Sequence, residues 1–107
     1  MTTTTNKRLA GPSTLTASAV TQYTAPGGGS AQIRRIRCSS VDNVDHTVTI
    51  SIGASATGTR IYNSYPVSGT LGADIFGPFN LGAGEIVQAL CNSSGNVVLE
   101  IDGTETS

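Results

Sequence analysis

The sequence has no tryptophan, a single histidine, two cysteines and only 12% charged residues, against 13 glycines. Each shortage excludes something. No apolar run approaches the ~18–20 residues that cross a bilayer as a helix, so no membrane partner is expected. The N-terminal stretch MTTTTNKRLAG lacks the apolar centre of a secretory signal, which predicts synthesis and folding in a cytoplasm. A net charge of −1 argues against nucleic acid as a partner, since phosphate-binding domains are usually clearly basic. Cys38 and Cys91 each end an apolar run. Spacing leaves a bridge between them open, but a reducing compartment favours two separate, buried thiols.

Catalytic chemistry is short of parts as well. A nucleophile needs a base within hydrogen-bond reach, and His46 is the one histidine on offer. The run Gly53-Ala54-Ser55-Ala56-Thr57 lacks the second glycine of a nucleophile elbow. The acids lie mostly in loops, and 5% aromatics gives few platforms for sugar. Asp42, Asn43 and Asp45 miss the spacing and distal Glu of a calcium loop, so turn chemistry explains them better. Gly27-Gly28-Gly29 lacks the Lys-Ser/Thr ending of a phosphate loop and no helix follows it. His46 has no Cys or His at metal spacing and reads as a polar strand-edge residue. The expectation is a protein that is not an enzyme, with no cofactor and no metal.

What the chain does have is hydroxyls and alternation. Its 107 residues suit one domain. A surface of Ser and Thr in place of charge is weakly protected against sticking to neighbours, which fits a packed subunit as well as a plain β domain. From His46 to Gly53, Val48, Ile50 and Ile52 alternate with Thr47, Thr49 and Ser51, the period of a strand with one dry and one wet face. Similar runs occupy residues 20–25, 31–38, 59–65, 73–80, 85–91 and 97–102, with a weaker extended segment at 13–19. In 31–38 the apolar phase changes at Arg34-Arg35, which predicts a β-bulge or a strand buried in part on both faces. Gly77-Pro78 makes its segment an edge or a bend, and Phe76, Phe79 and Leu81 are expected to close one end of the core. Gly53–Gly58 reads as a turn and Gly103–Ser107 as a trailing end.

About eight short strands separated by Gly/Pro turns, with no helical stripe, predict an all-β antiparallel β-sandwich of immunoglobulin-like or jelly-roll type. The domain division is a flexible N-terminal arm at 1–12 and a single sandwich at 13–107. Lys7 and Arg8, with Leu9 as anchor, suit an arm lying on a neighbouring subunit, or a frayed tail. Arg34, Arg35 and Arg37 suit either a subunit interface or a solvated strand edge. Tyr62 and Tyr65, with the 63–72 loop, are the candidate recognition loop of a host-surface or glycan-binding module.

The runs VTQYTAPG (20–27), AQIRRIRCSS, HTVTISIGASATGTRIYN, GPFNLGAGEIVQAL and VVLEIDGTE carry a likeness. Together, over Leu9 to Glu105, they resemble a group of small structural proteins of tailed bacteriophages. In that group a T-x-Y-T-x-P opening leads to an alternating strand, an A-x-G-T-R turn and strand, and a closing G-P-h-x-L-x-A-G-E motif, where h is apolar. Cys38 departs from the β-branched residue more usual there. The resemblance implies a virion accessory protein of head-decoration, neck or minor tail type. It would be assembled in the host cytoplasm and would bind other virion proteins and copies of itself. The basic arm and the Arg34–Arg37 strand would then meet Glu100, Asp102 and Glu105 of a neighbour.

Overall fold

The computed structural model describes residues 4–53 and 60–106. Eight strands follow one another: β1 (Thr4–Thr14), β2 (Val20–Thr24), β3 (Ser30–Ser40), β4 (His46–Gly53), β5 (Arg60–Val67), β6 (Ala73–Leu81), β7 (Ile86–Cys91) and β8 (Val97–Thr106). They form two four-stranded sheets, ordered β1-β8-β3-β6 and β2-β7-β4-β5. Every pairing is antiparallel. No helix occurs among the described residues.

The pairings β1 with β8, β2 with β7, β3 with β6 and β4 with β5 are nested. The chain is thus one long hairpin whose two arms have been rolled so that β3 also meets β8 and β4 also meets β7. That winding makes the sandwich a jelly roll rather than an immunoglobulin-like domain. Residues 54–59, where the sequence predicts most of the turn between β4 and β5, lie outside the described residues.

Period-two alternation places the core between the sheets. Ile33, Ile36, Leu99 and Ile101 of the first sheet and Val48, Ile50 and Val87 of the second are fully buried. Each such side chain contributes about 1.5–3 kcal/mol through loss of water contact. The phase change in β3 is a bulge: its register against both β8 and β6 shifts between Ile33 and Arg35, so Ile33 and Ile36 both point inward. β6 lies at a sheet edge, as its Gly77-Pro78 pair predicts.

Cys38 and Cys91 are free and buried. Burial pushes the Cys38 thiol up to about 12, with Arg37 opposing. Neither thiol should react with an aromatic disulfide reagent at mildly alkaline pH in the native protein, and both should react once urea unfolds it. Fast native labelling of either would contradict their placement.

Two expectations need correction. The segment read as an arm, residues 1–12, is from Thr4 onward part of β1, a full edge strand on β8. Leu9 packs against the core of its own chain. Register shifts between Arg8 and Ala10 and between Ala10 and Ser13 break the alternation that would have marked the strand. The stretch read as trailing, from Gly103, continues β8 to Thr106 and is flanked by β1 and β3, so Thr104 is buried.

A sandwich of this kind has two open sides, and each is closed by side chains. On the β1/β2 side the Tyr23 hydroxyl crosses between sheets to donate to Glu105 Oε2 at 2.5 Å, while Lys7 Nζ donates to Glu105 Oε1 at 3.0 Å. Burial, then the carboxylate, push the Tyr23 phenol upward. The Tyr23 hydrogen bond, then Lys7, hold the Glu105 carboxyl below its usual range. A depressed carboxyl contributes stability that is present above its unfolded pKa of about 4.3 and is lost as pH falls through the folded value. From roughly pH 5 downward the urea midpoint of the wild type should therefore fall more steeply than that of Glu105→Gln. Parallel pH profiles for the two proteins would remove Glu105 from this role.

On the opposite side, between edge strands β5 and β6, Tyr62 meets Tyr65 edge-on at 5.1 Å and Phe79 at 6.2 Å. Leu81 is buried and Phe79 half-buried, as expected, but Phe76 is 69% exposed. The extra residues at Gly77-Pro78 shift the register between Ile33 and Arg35, leaving Phe76 paired with Arg35 and turned outward.

Candidate docking surface

The end of the sandwich where β3 turns into β4 and β5 into β6 is built from two interlocked loops. Asp42 organises the first. Its Oδ1 accepts hydrogen bonds from His46 Nε2 at 2.8 Å, Ser40 Oγ at 2.8 Å and the Val44 amide at 3.2 Å. The His46 bond, then the Ser40 bond, hold the Asp42 carboxyl below the usual carboxylate range. Asn43 takes a left-handed turn at φ 59°, a conformation Asn tolerates. His46, read from sequence as a polar edge residue, is buried and serves as the donor that fixes this turn.

The second loop leans on the first. Asp45 Oδ1 accepts the Gly69 amide at 2.7 Å. A Cβ at Gly69 would lie 2.5 Å from the Asn43 carbonyl oxygen, so glycine permits the close approach. Ser68 and Gly72 exchange both backbone hydrogen bonds, and Arg37 Nη2 donates to the Leu71 carbonyl at 3.0 Å. The Val41 amide donates to Asn96 in the β7–β8 turn at 3.1 Å. These loops present Val41, Val44 and Leu71 to solvent at 57%, 53% and 77% exposure. Aliphatic side chains on loops already fixed by hydrogen bonds lose little freedom when a partner covers them. All three stand on the loops at this one end of the sandwich. The sequence contained the signal, three bulky aliphatics inside otherwise polar turns, but alternation does not register residues in loops.

The basic residues singled out from sequence meet their acids within the chain. Lys7 pairs with Glu105 at 3.0 Å, Arg8 with Glu100 at 4.0 Å and Arg37 with Asp74 at 2.9 Å. Arg35 pairs with Asp102 at 3.1 Å and Glu100 at 3.7 Å. The outer face of the first sheet therefore carries Arg8, Glu100, Arg35, Asp102, Arg37 and Asp74 as columns of alternating sign across β1, β8, β3 and β6. Each exposed pair is worth about 0–1 kcal/mol, but the face as a whole is neutralised. β3 is interior to its sheet, so its arginines do not guard a strand edge. Arg34, at the bulge, is exposed and has no acid within ion-pair range among the described residues.

Tyr62 and Tyr65, which with the 63–72 loop are the expected exposed recognition aromatics, lie on β5 as the 59–65 run predicts, but half-buried, opposite Ile50 and Val48. The register shift between Val48 and Ile50, with Ser64 at φ 57°, puts two tyrosines three residues apart on the same inward face.

The described residues contain no enclosed cleft and no cluster of three metal-ligating side chains. No protein-family model matches the chain, and no curated protein matches it.

Proposed function

We propose that the protein is a non-enzymatic accessory subunit of a bacteriophage virion, a capsid-decoration, neck or minor tail component, which docks on other virion proteins through its aliphatic loop end. The observation that carries this reading is the exposure of Val41, Val44 and Leu71 on loops locked by Asp42, His46 and Asp45. The motif resemblance over Leu9 to Glu105 supports it. So does the jelly roll, an architecture used by capsid subunits and lectins alike. The lectin-like alternative loses its platform, since Tyr62 and Tyr65 are half-buried against the core. Docking by strand addition is disfavoured too. Edge strand β1 carries Lys7, Arg8 and Pro12, β5 carries Pro66, β6 carries Pro78, and β2 has only five residues.

The test is incorporation into particles. Val44→Asp combined with Leu71→Asp should lower retention on particles roughly tenfold or more, the scale of losing an interface anchor. Because both side chains are exposed, the thermal midpoint should stay within about the range of surface substitutions. Retention equal to wild type would reject the loop end as the docking site.

A further inference from the structure

We infer that the outer corner of the first sheet, where β3 meets β6, docks an acidic segment of a partner protein, seating an apolar side chain on Phe76 and a carboxylate on Arg34. This goes beyond the docking reading, uses different residues and does not need it. One irregularity builds the corner. Between the pairs Ile33 with Phe79 and Arg35 with Phe76, β3 carries the extra residue Arg34 and β6 carries Gly77 and Pro78. Ile33 and Ile36 both take inward positions, so Arg34 and Arg35 are left together on the outside. Phe76 and Pro78 are exposed beside them. Gly77 lies so close to the Ile33 carbonyl oxygen that a Cβ would collide with it. The approach is backbone on backbone, and it holds the corner in one shape before a partner arrives. Bulges commonly re-aim side chains in this way next to functional sites.

Charge and surface chemistry identify the occupant. Lys7, Arg8, Arg35 and Arg37 each have a carboxylate of their own chain within 4.0 Å. Arg34 has none among the described residues, because Glu100, Asp102 and Asp74 are engaged by its neighbours. A guanidinium keeps its charge and matches a carboxylate with two parallel hydrogen bonds. Phe76 is the most exposed of the five aromatics, the other four being buried or half-buried. An exposed aromatic beside an unpaired arginine therefore asks for an apolar side chain next to an acid. Nucleic acid does not fit, because Arg34 stands next to the pairs formed by Asp102 and Asp74 rather than within a basic patch. A second copy meeting this corner about a two-fold axis would bring Arg34 against Arg34. Strand addition along β6 is disfavoured by Pro78, so the segment lies across the face.

A patch of a few side chains sets a weak affinity, roughly millimolar for a short peptide. The probe is the pentapeptide acetyl-Gly-Glu-Trp-Glu-Gly-amide. Amide chemical shifts of the full chain are followed as the peptide rises from about 0.1 mM to about 10 mM. It should bind saturably, with shifts concentrated around Arg34 and Phe76. The same peptide with Gln in place of both Glu should bind about tenfold more weakly, having lost the charge-assisted pair. Arg34→Gln and Phe76→Ser, both at exposed positions, should stay folded and should each weaken binding about tenfold. Val20→Ser, exposed on the other sheet, should bind as wild type does. So should the Val44→Ser, Leu71→Ser protein, which separates this corner from the loop end. Absence of saturation, equal affinity for the Gln peptide, full affinity in Arg34→Gln or Phe76→Ser, or loss of affinity in Val20→Ser or the loop-end protein would each overturn the inference.

Discussion

Ile101→Ala should destabilise the protein by about 2–5 kcal/mol, the range for removing a large aliphatic side chain from a packed core. Ile101 has no solvent exposure. It lies on β8, between β1 and β3, paired with Ala10 on one side and Ile36 on the other. β8 is hydrogen-bonded on both sides, so its backbone has little freedom to collapse into the space left behind. The stability of a domain this size is about 5–15 kcal/mol, so the loss would be a large fraction of the total. Urea unfolding followed by circular dichroism measures it: the midpoint should fall with little change in slope. Val98→Ala, half-buried on the outer face of the same strand, gives the comparison and should cost much less. A loss below about 1 kcal/mol for Ile101→Ala would mean that the two sheets do not close over β8 at this point.

Ile101 faces inward because Val97, Leu99 and Ile101 alternate with Val98, Glu100 and Asp102, and that alternation is legible in the bare sequence. The same holds for β7, where one face is dry and the strand runs without interruption. In β4 the aliphatics alternate as read, but the face read as wet is not: Thr49 and Ser51 are buried. The bulge in β3 was legible for a related reason: two in-phase pairs, Ala31 with Ile33 and Ile36 with Cys38, surround one change of phase. Legibility fails where the sheet is irregular and the residues are polar. β1 has exposed residues from Thr4 to Arg8 and two register shifts beyond, so its pairing with β8 leaves no periodic trace. Tyr62 and Tyr65 share a face only because β5 bulges at Ser64.

The order of strands is a property of the whole chain and cannot be read from any one of them. It is also what decides the fate of the arginines. Arg35 and Arg37 looked available to a neighbour's acids until β8 and β6 brought Asp102 and Asp74 beside them. In the candidate docking surface, the turn residues Asp42, Asn43 and Asp45 were recognised as turn chemistry. The aliphatics they display were not, because exposure is set by packing between two loops distant in sequence.

Gly103→Val should be as damaging as a core truncation, about 3 kcal/mol or more, although no glycine signal in the sequence marks the position as more than a tail. Gly103 sits opposite Ile33, and the next pair is Asp102 with Arg35, so β3 places its extra residue, Arg34, beside this point of β8. The bulge pushes the Gln32 carbonyl oxygen over the Gly103 Cα, where a Cβ would collide with it. The obstacle is backbone on a central strand, so no rotamer change relieves it. β8 would have to part from β3, taking with it the Glu105 contacts to Tyr23 and Lys7 that close the β1/β2 side. Gly103→Ala separates causes. If the collision at Cβ dominates, alanine should already carry most of the cost, and valine should add less than the first step. If alanine is tolerated and valine is not, crowding by Leu9, whose Cδ1 lies 3.0 Å from the same Cβ position, is the controlling contact. Urea midpoints of the two variants decide between them, and a wild-type midpoint for both would mean that β8 does not approach β3 this closely.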